Sequence, residues 1–226
     1  MLKIIVAFDS LRPSKSAVLY AAEFAKSLDA HLVAVFLDDF TNRSYKSYQI
    51  LHDRFSVSKE TYDVCNEQDD LLRKEAVLHF EETARKENLN YTIHHDRNIS
   101  LNELISESIY SDLLIIESKE TMAFYAENPP THFIKNLLEK IHCPVLIVPE
   151  EYKKTTQVLF LYDGESNSTT AIKMFSYLLP VYSDAQVEVL TVKSKKQDLK
   201  SPNNYLMKEY MKRHYPNAIY TVLNGL

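Results

Sequence analysis

Short apolar runs rich in β-branched residues alternate with helical periodicity over the first 149 residues. The runs at 3–8, 31–37, 113–117 and 145–149 are typical of strands buried on both faces of a parallel sheet. Residues 91–96 form a further predicted strand. Because crossovers between parallel strands are right-handed, this alternation predicts a doubly wound α/β domain around a five-stranded parallel sheet.

The segments between the runs predict helices at 14–28 and 69–88, and two more that begin near Ser100 and Thr131. The Ser-Leu-Asn-Glu sequence at Ser100 matches a capping box, and Thr131 is placed to cap its helix. The connection over 38–68 is long for a compact domain and is expected to hold a short helix or a flap over the strand ends. The expected inward residues of the last two helices are Leu101, Leu104, Ile105 and Ile109 in one, and Phe133, Ile134, Leu137, Leu138 and Ile141 in the other.

The same pattern begins again after residue 157. The run 158–162 leads to Asp163, as the run 4–8 leads to Asp9, and both acids precede a hydroxyl-rich helix start. The two acids are 154 residues apart, and the next predicted strand follows its counterpart at an offset of 155. A repeat of this length indicates a duplicated domain.

The predicted organisation is therefore one complete domain over 1–149, a polar linker over 150–157 and an incomplete second domain over 158–226. The second copy stops after a helix near 203–214 and a strand near 218–223, without counterparts of strands four and five. A partial sheet leaves an open edge and apolar surface. We expect this surface to pair with strand five of the first domain or with another chain; the alternative is that the chain is a fragment of a longer protein.

The scarcity of glycine restricts the chemistry of the first domain. The chain has two glycines, Gly164 and Gly225. Glycine is the residue that lets backbone N–H groups crowd around a phosphate. The first domain therefore contains neither a GxGxxG fingerprint nor a P-loop, which excludes whole classes of nucleotide enzyme.

Charge and apolar patterning exclude other classes of protein. A net charge of −5, with no basic run beyond 193–196, argues against a nucleic-acid partner. The longest apolar runs have about five residues, far short of the ~20 that cross a bilayer, and the first residues lack the features of a secretory signal. We expect a cytoplasmic chain without a membrane partner, in which Cys65 and Cys143 are reduced thiols.

Three features together resemble a universal stress protein: the strand ending in Asp9, the serine-rich helix start after it, and the closing sequence Cys143–Pro149. The similarity covers residues 1–149 well and 158–223 in part. It implies a flavodoxin-like or Rossmann-like sheet. It also implies a homodimer, or a pseudo-dimer of tandem domains, through strand Val145–Pro149.

The resemblance also bears on nucleotide binding. Family members that bind ATP carry G-x2-G-x9-G-S/T after strand four, where this chain has Ser118, Thr121, Thr131 and His132. Side chains at these positions crowd the backbone away from a triphosphate, so we expect no ATP binding in the usual mode and no cofactor. Three acidic residues add negative charge there: Glu117, Glu120 and Glu127. The candidate pocket for any other small ligand consists of Asp9, Leu37, Ser118, Thr121, Thr131 and His132.

Asp9 has two interpretations. It stands at the carboxyl end of a central strand, where α/β sheets bind ligands, but an Asp there also caps the turn that follows. The cap is favoured, for Asp163 as well. The hydroxyl clusters at Ser14 and Ser16 and at 168–170 are expected to satisfy free N–H groups at helix starts. They are not expected to act as nucleophiles, because no GxSxG elbow or partner base accompanies them.

The remaining candidates favour structural roles. His94 and His95 are adjacent on a strand and point to opposite faces, so they cannot share a metal ion, and no metal site is predicted. His132 is expected to be solvated. The tyrosine-rich segment 45–62 either contacts another protein or covers the sheet end, and the sequence leaves both open.

The favoured function is a non-catalytic stress-response or regulatory module that acts through dimerisation and protein partners. The alternative is a small-ligand or nucleotide-binding sensor that uses the pocket at the end of strand one. An enzyme of the wider nucleotide-binding α/β group ranks last, because its HIGH-type and SGGxDS-type motifs are missing.

Overall fold

The computed structural model describes residues 1–38, 59–96, 99–123, 125–193 and 202–224. The chain divides into two compact units, unit 1 over Met1–Tyr152 and unit 2 over Lys153–Leu226. Within the described ranges, no helix combines the length and the apolar character that a bilayer crossing requires.

Unit 1 contains five parallel strands, β1 (Lys3–Asp9), β2 (His31–Leu37), β3 (Tyr91–Asp96), β4 (Leu113–Glu117) and β5 (Val145–Val148). They form one sheet in the order β3-β2-β1-β4-β5. Each predicted strand is present, so the five-stranded parallel α/β sheet is confirmed. The central strands β1 and β4 lie side by side, which brings their carboxyl ends together.

Four helices connect these strands in the described part of unit 1: α1 (Lys15–Ser27), α2 (Lys59–Lys86), α3 (Ser100–Ser108) and α4 (His132–Lys140). On one face of the sheet, Phe8 and Phe36 pack against Phe80 of α2, with ring centroids 6.4 and 6.3 Å away. Because side chains alternate along a strand, Ile5 and Val33 lie on the opposite face, in a core shared with α3 and α4. Both faces are therefore covered, which explains why the strands are apolar throughout.

Several helix predictions are wrong in detail. Helix α2 begins at Lys59, ten residues before its predicted start, because the polar segment 59–68 lacks an apolar stripe but contains no helix breaker. The capping box is wrong: Ile99 is the N-cap of α3, and the Ser100 hydroxyl lies inside the first turn without a hydrogen-bond partner among the described residues. Ile109 follows the last residue of α3 and Leu138 lies beside the buried stripe of α4, so both are exposed.

Unit 2 contains a second, smaller sheet. Its elements in chain order are β6 (Gln157–Leu161), α5 (Ser166–Leu178), a 3-10 turn (Pro180–Tyr182), β7 (Gln186–Lys193), α6 (Asn204–His214) and β8 (Ile219–Asn224). The three parallel strands have the order β6-β7-β8. Phe160 of β6 packs against Phe175 of α5 and against Tyr215, just after α6, with ring centroids 5.3 and 5.5 Å away. The partial second sheet predicted from the sequence is therefore present, with both helices of unit 2 on one face.

Candidate functional site

The polar cluster at the carboxyl ends of β1 and β4 contains the most unusual charges of unit 1. Asp9 ends β1, and Glu120 follows the end of β4 three residues later. Both carboxyl groups are buried, with Asp9 7% and Glu120 8% exposed. Carboxylates are rarely buried this deeply unless they are paired, so the partners of these two groups define what the site can do.

Asp9 has partners for both of its carboxylate oxygens. Oδ1 accepts a hydrogen bond from the backbone N–H of Leu11 at 2.9 Å, which closes the turn after β1. Oδ2 accepts hydrogen bonds from the Arg12 guanidinium, at 2.9 Å from Nη2 and 3.2 Å from Nε. Two donors of one guanidinium therefore reach the same carboxylate oxygen and hold the Asp9 side chain in one orientation.

Arg12 connects the end of β1 to the loop after β4. Its Nη2 also donates a hydrogen bond to the backbone carbonyl of Ala123. The loop is therefore attached to the same guanidinium that neutralises Asp9. A ligand that needed the Asp9 carboxylate would first have to displace this internal cation.

Glu120 is held by the backbone of its own loop. Its Oε1 accepts hydrogen bonds from the N–H groups of Thr121 and Met122, both at 3.0 Å. Burial, and after it the negative charge of Asp9, raises the pKa of Glu120 to about 7, although hydrogen bonds from the backbone and the charge of Arg12 lower it in part. Near neutral pH this carboxyl group therefore gains or loses a proton inside unit 1.

Two threonines at predicted pocket positions organise the loop instead of facing an open cavity. Thr131 is fully buried; its hydroxyl donates to the backbone carbonyl of Glu120 at 2.5 Å and accepts the N–H of Ile134 at 3.2 Å. The prediction that Thr131 caps α4 is confirmed. The Thr121 hydroxyl donates to the backbone carbonyl of Ala123 at 3.1 Å. The structure thus links Asp9, Thr121 and Thr131 through one hydrogen-bonded loop.

The other predicted pocket residues contribute no side chain to the polar cluster. Leu37 pairs with Asp9 in the ladder between β1 and β2, but its side chain is 1% exposed and belongs to the core under α3 and α4. The Ser118 N–H donates to the carbonyl of Val148 at 2.9 Å, next to the ladder between β4 and β5. His132 has a largely exposed side chain, and its Nδ1 lies 2.8 Å from Oε2 of Glu127, whose pKa is lowered chiefly by a backbone hydrogen bond from His132. Among the described residues, no side-chain hydrogen bond links these three residues to Asp9, Arg12 or Glu120.

Asp163 repeats one part of the Asp9 arrangement in unit 2. Its Oδ1 accepts the backbone N–H of Glu165 at 2.9 Å, the same two-residue turn and the same distance as in unit 1. Its second contact is different: the Ser168 hydroxyl donates at 2.6 Å and lowers the pKa of this exposed carboxyl group. The capping role favoured from the sequence is therefore present at both acids, while a ligand role for either stays a prediction.

The hydroxyl clusters agree only in part with their predicted capping role. Ser14 is the N-cap of α1 and accepts the N–H of Ala17 at 3.1 Å, as predicted. Ser168 and Thr169 instead donate to the carbonyl of Glu165 at 3.1 and 3.0 Å, so the prediction is wrong for them. They lie inside the first turn of α5, where a hydroxyl reaches a carbonyl and not a free N–H group.

The predicted histidines and cysteines have ordinary structural environments. Nδ1 of His94 lies 2.6 Å from Glu107, whereas the ring of His95 stacks on Phe36 across the opposite face of the strand. Burial raises the pKa of the Cys143 thiol to about 11, so this thiol stays protonated at neutral pH. The side chain of Cys65 and the tyrosine-rich segment lie outside the described residues, apart from the backbone of α2.

Arg12 and Glu120 are the site residues that the sequence did not assign. Glu120 was expected only to repel phosphate, and Arg12 was given no role. The spacing of three residues between Asp9 and Arg12 is a usable signal, because it allows an Arg side chain to fold back onto the carboxylate. Nothing in the sequence around Glu120 distinguishes a buried loop carboxylate from a solvated one.

Comparison with known proteins agrees with this fold. The sequence model of the universal stress protein family matches residues 1–149, so the chain belongs to the universal stress protein family. Membership of this family supports a role in the stress response. No curated protein matches the chain significantly.

Solved structures add the fold alone. A universal stress protein from Archaeoglobus fulgidus DSM 4304 superposes with a TM-score of 0.65 at 14% identity, covering 99% of this chain and 79% of that one. Universal stress protein UspA from Lactobacillus plantarum has a TM-score of 0.45 at 15% identity, covering 65% of this chain and 97% of its own. A family protein from Arabidopsis thaliana, with AMP bound, has a TM-score of 0.45 at 10% identity, covering 67% and 93%.

Proposed function

We propose that this universal stress protein is a non-catalytic regulatory module that acts through protein partners and does not bind ATP in the usual mode. The observation that carries the proposal is the internal cation at the strand ends. Arg12 holds both Asp9 and the carbonyl of Ala123, so the acid and the loop already have partners. Because the Arg12 guanidinium already occupies the hydrogen-bonding groups at this position, no ligand is required to neutralise Asp9 or to hold the loop.

The loop after β4 supports the same conclusion. The positions that carry glycine in ATP-binding relatives are Ser118, Thr121 and Thr131 in this chain, and the hydroxyls of Thr121 and Thr131 are committed to backbone groups. Glu120, buried beside Asp9, adds a carboxyl group whose negative form would repel a phosphate. Steric crowding, the hydrogen bonds that the threonine hydroxyls already make and the negative charge of Glu120 therefore all disfavour the binding of ATP.

We further propose that unit 2 is an incomplete second copy of unit 1 and that β5 is the dimerisation strand. The equal order of β1-β2-β3 and β6-β7-β8 and the shared turn at Asp9 and Asp163 support the first part. For the second, β5 is at the edge of its sheet and Ile147 is 39% exposed. An edge strand with an exposed apolar residue is a suitable surface for pairing with another chain. Sedimentation of Ile147→Lys against the unmodified chain tests this: a dimer that the substitution does not weaken would exclude β5.

The test of the nucleotide proposal is a calorimetric titration of the purified protein with Mg-ATP, ADP and AMP. We expect no heat of binding and no thermal shift at millimolar nucleotide. Arg12→Ala is the informative variant, because it frees the Asp9 carboxylate and the Ala123 carbonyl without touching the core. One-to-one nucleotide binding by the unmodified protein would overturn the proposal.

A second candidate function, a sensor of a small polar ligand, has one observation in its favour. Two buried carboxyl groups, Asp9 and Glu120, lie close together, and burial, with the negative charge of Asp9 second, raises the pKa of Glu120 to about 7. Perturbed acids of this kind cluster at functional sites more often than elsewhere. Binding of a non-nucleotide ligand that is lost in both Asp9→Asn and Glu120→Gln would support the sensor over the partner-binding module.

A further inference from the structure

One face of the sheet in unit 2 is open. Strand pairing places Leu159, Glu188 and Ile219 in one row across β6, β7 and β8, and Leu161, Leu190 and Thr221 in the next row. Most of the apolar side chains of this face are half exposed or more. The exposed fractions are 53% for Leu159, 67% for Leu161, 62% for Val192, 50% for Ile219 and 50% for Leu223. We call this set, with Leu190 and Glu188, the open face.

The equivalent face of unit 1 is covered by helices. Ile5 pairs with Val33 in unit 1 as Leu159 pairs with Glu188 in unit 2, and the following pair, Ala7 with Val35, corresponds to Leu161 with Leu190. In unit 1 these positions are buried under Leu104 of α3 and under Ile134 and Leu137 of α4. Among the described residues of unit 2, both helices pack on the other face and no helix covers the open face. The strands thus carry the apolar side chains of a covered face, without a covering helix in the part of unit 2 that the structure describes.

The outer strand of the open face, β8, adds apolar residues to this surface. The register aligns Ile219 and Leu223 of β8 with the positions of Thr92 and Asp96 in β3. On this face β3 carries the polar residues Thr92, which is exposed, and Asp96, whereas β8 carries Ile219 and Leu223, which are half exposed. The two residues of β8 enlarge the apolar area of the open face, and an exposed apolar patch is typical of a surface that contacts another molecule.

The size and charge of the open face select the kind of partner. Three strands span ~14 Å and five residues ~17 Å, from the usual strand spacing and rise. This footprint suits a helix of ~10 Å diameter and is small for a stable dimer, which buries ~800 Å² per partner. Glu188 lies in the middle strand between Leu159 and Ile219. Two copies packed face to face would bring two such acids toward one interface, whereas a cationic side chain would complement the acid.

We propose that the open face binds an amphipathic helix of another protein whose apolar stripe carries a Lys or Arg opposite Glu188. Leucine-type side chains of that stripe pack on Leu161, Leu190 and Val192, and the basic residue forms the ion pair with Glu188. The inference names the partner chemistry for the protein-binding role proposed above and rests on it in that respect. It concerns unit 2 alone, so the nucleotide titration on unit 1 can fail or succeed independently.

The test uses the full chain and two fluorescent peptides of ~18 residues, a length at which an alanine-rich amphipathic sequence is helical. Both carry leucines at helical spacing; one has a Lys within the stripe and the other a Glu at the same position. We expect the Lys peptide to bind at least ~10-fold more tightly in an anisotropy titration, and Glu188→Lys to reverse the preference. Leu161→Lys should weaken binding of the Lys peptide by at least ~10-fold.

The matched control is Leu71→Lys on α2, which changes a leucine of similar exposure, 58%, on unit 1. It should leave peptide affinity unchanged. Failure of the Lys peptide to bind, or equal binding of both peptides before and after Glu188→Lys, would overturn the proposal. Sedimentation that finds a dimer broken by Leu161→Lys and not by Leu71→Lys would also overturn it, since the occupant would then be a second copy.

Discussion

Units 1 and 2 place the same residue, an aspartate, after the same strand, and give it two different environments. Asp9 is buried beside Glu120 and is paired with the half-exposed Arg12, whereas Asp163 is exposed and is held by the Ser168 hydroxyl. Each acid closes the same turn, because its Oδ1 accepts a hydrogen bond at 2.9 Å from the backbone N–H two residues later. The turn is thus a local property of strand, acid and helix start, while the electrostatics of the acid depends on the loop after β4, which the described part of unit 2 does not contain.

The sheet faces differ in a corresponding way. The strands β1 and β2 have apolar residues on both faces and helices on both faces. The strands β6 and β7 also have apolar residues on both faces, but the described residues of unit 2 place helices on one face alone. The comparison indicates that the burial of a strand residue depends on whether a helix packs on its face of the sheet, and not on the strand sequence alone. This dependence can be tested by changing equivalent residues in the two units.

The largest effect is expected from truncating equivalent strand residues. Ile5→Ala removes a fully buried side chain and should lower the free energy of unfolding by about 3 kcal/mol. Leu159→Ala, at the equivalent position of the open face, should lower it by less than ~0.5 kcal/mol. Urea denaturation of the intact chain, with hydrogen exchange resolved to β1 and β6, measures both. A large loss for Leu159→Ala would contradict an open face.

The next effect concerns the charge of Glu120. Its pKa is 4.5 in the unfolded chain and about 7 in the folded one, so the folded state binds the proton more tightly. Stability is therefore greatest below pH 4.5 with respect to this group and falls as the pH rises through 7, by about 3 kcal/mol in total. Glu120→Gln keeps the acceptor for Thr121 and Met122 and removes the ionisation. It should be more stable than the unmodified chain at pH 8 and equal to it near pH 4.

Asp163→Asn is the matched control in unit 2, and its sign is opposite. The folded chain lowers the pKa of Asp163, so its ionised form is the one that stabilises. The variant should lose stability at neutral pH and lose none at low pH, where the acid is protonated in any case. Denaturation curves at pH 8 and at a pH well below 3.8, the ordinary pKa of an aspartate, separate the two cases. Equal pH slopes for both variants would mean that the burial of Glu120 does not control its charge.

The sequence predicted the strands better than it predicted the helices or the site. The runs at β2 and β4 are apolar at almost every position and end at a polar residue, so their bounds follow from burial alone. Helix α2 begins in a polar segment where no periodicity marks the first three turns. Ser100 matches a cap motif, but the helix begins one residue earlier, with Ile99 as its N-cap.

At the site, Asp9 could be predicted because the carboxyl end of a central strand is a fixed location in this class of sheet. Glu120 and Arg12 could not, because the burial of a charged side chain depends on partners that are distant in sequence. Of the two roles that the sequence predicts for Thr131, the cap is confirmed and the pocket role stays a prediction. The apolar surface of the partial sheet was expected, but not which face remains open, since this depends on where α5 and α6 pack.

The smallest difference between the units is expected at the starts of the equivalent helices α1 and α5. Ser14 caps α1 through the N–H of Ala17, whereas Glu165, the N-cap of α5, makes no capping hydrogen bond with its side chain. Ser14→Ala should therefore lower the free energy of unfolding by about 1 kcal/mol, and Glu165→Ala should change it by less than ~0.5 kcal/mol. Thermal and urea unfolding of the two variants measure the difference. An equal loss in both would mean that the α5 start depends on the Glu165 side chain, and the two copies would then be more alike at this point than their hydrogen bonds indicate.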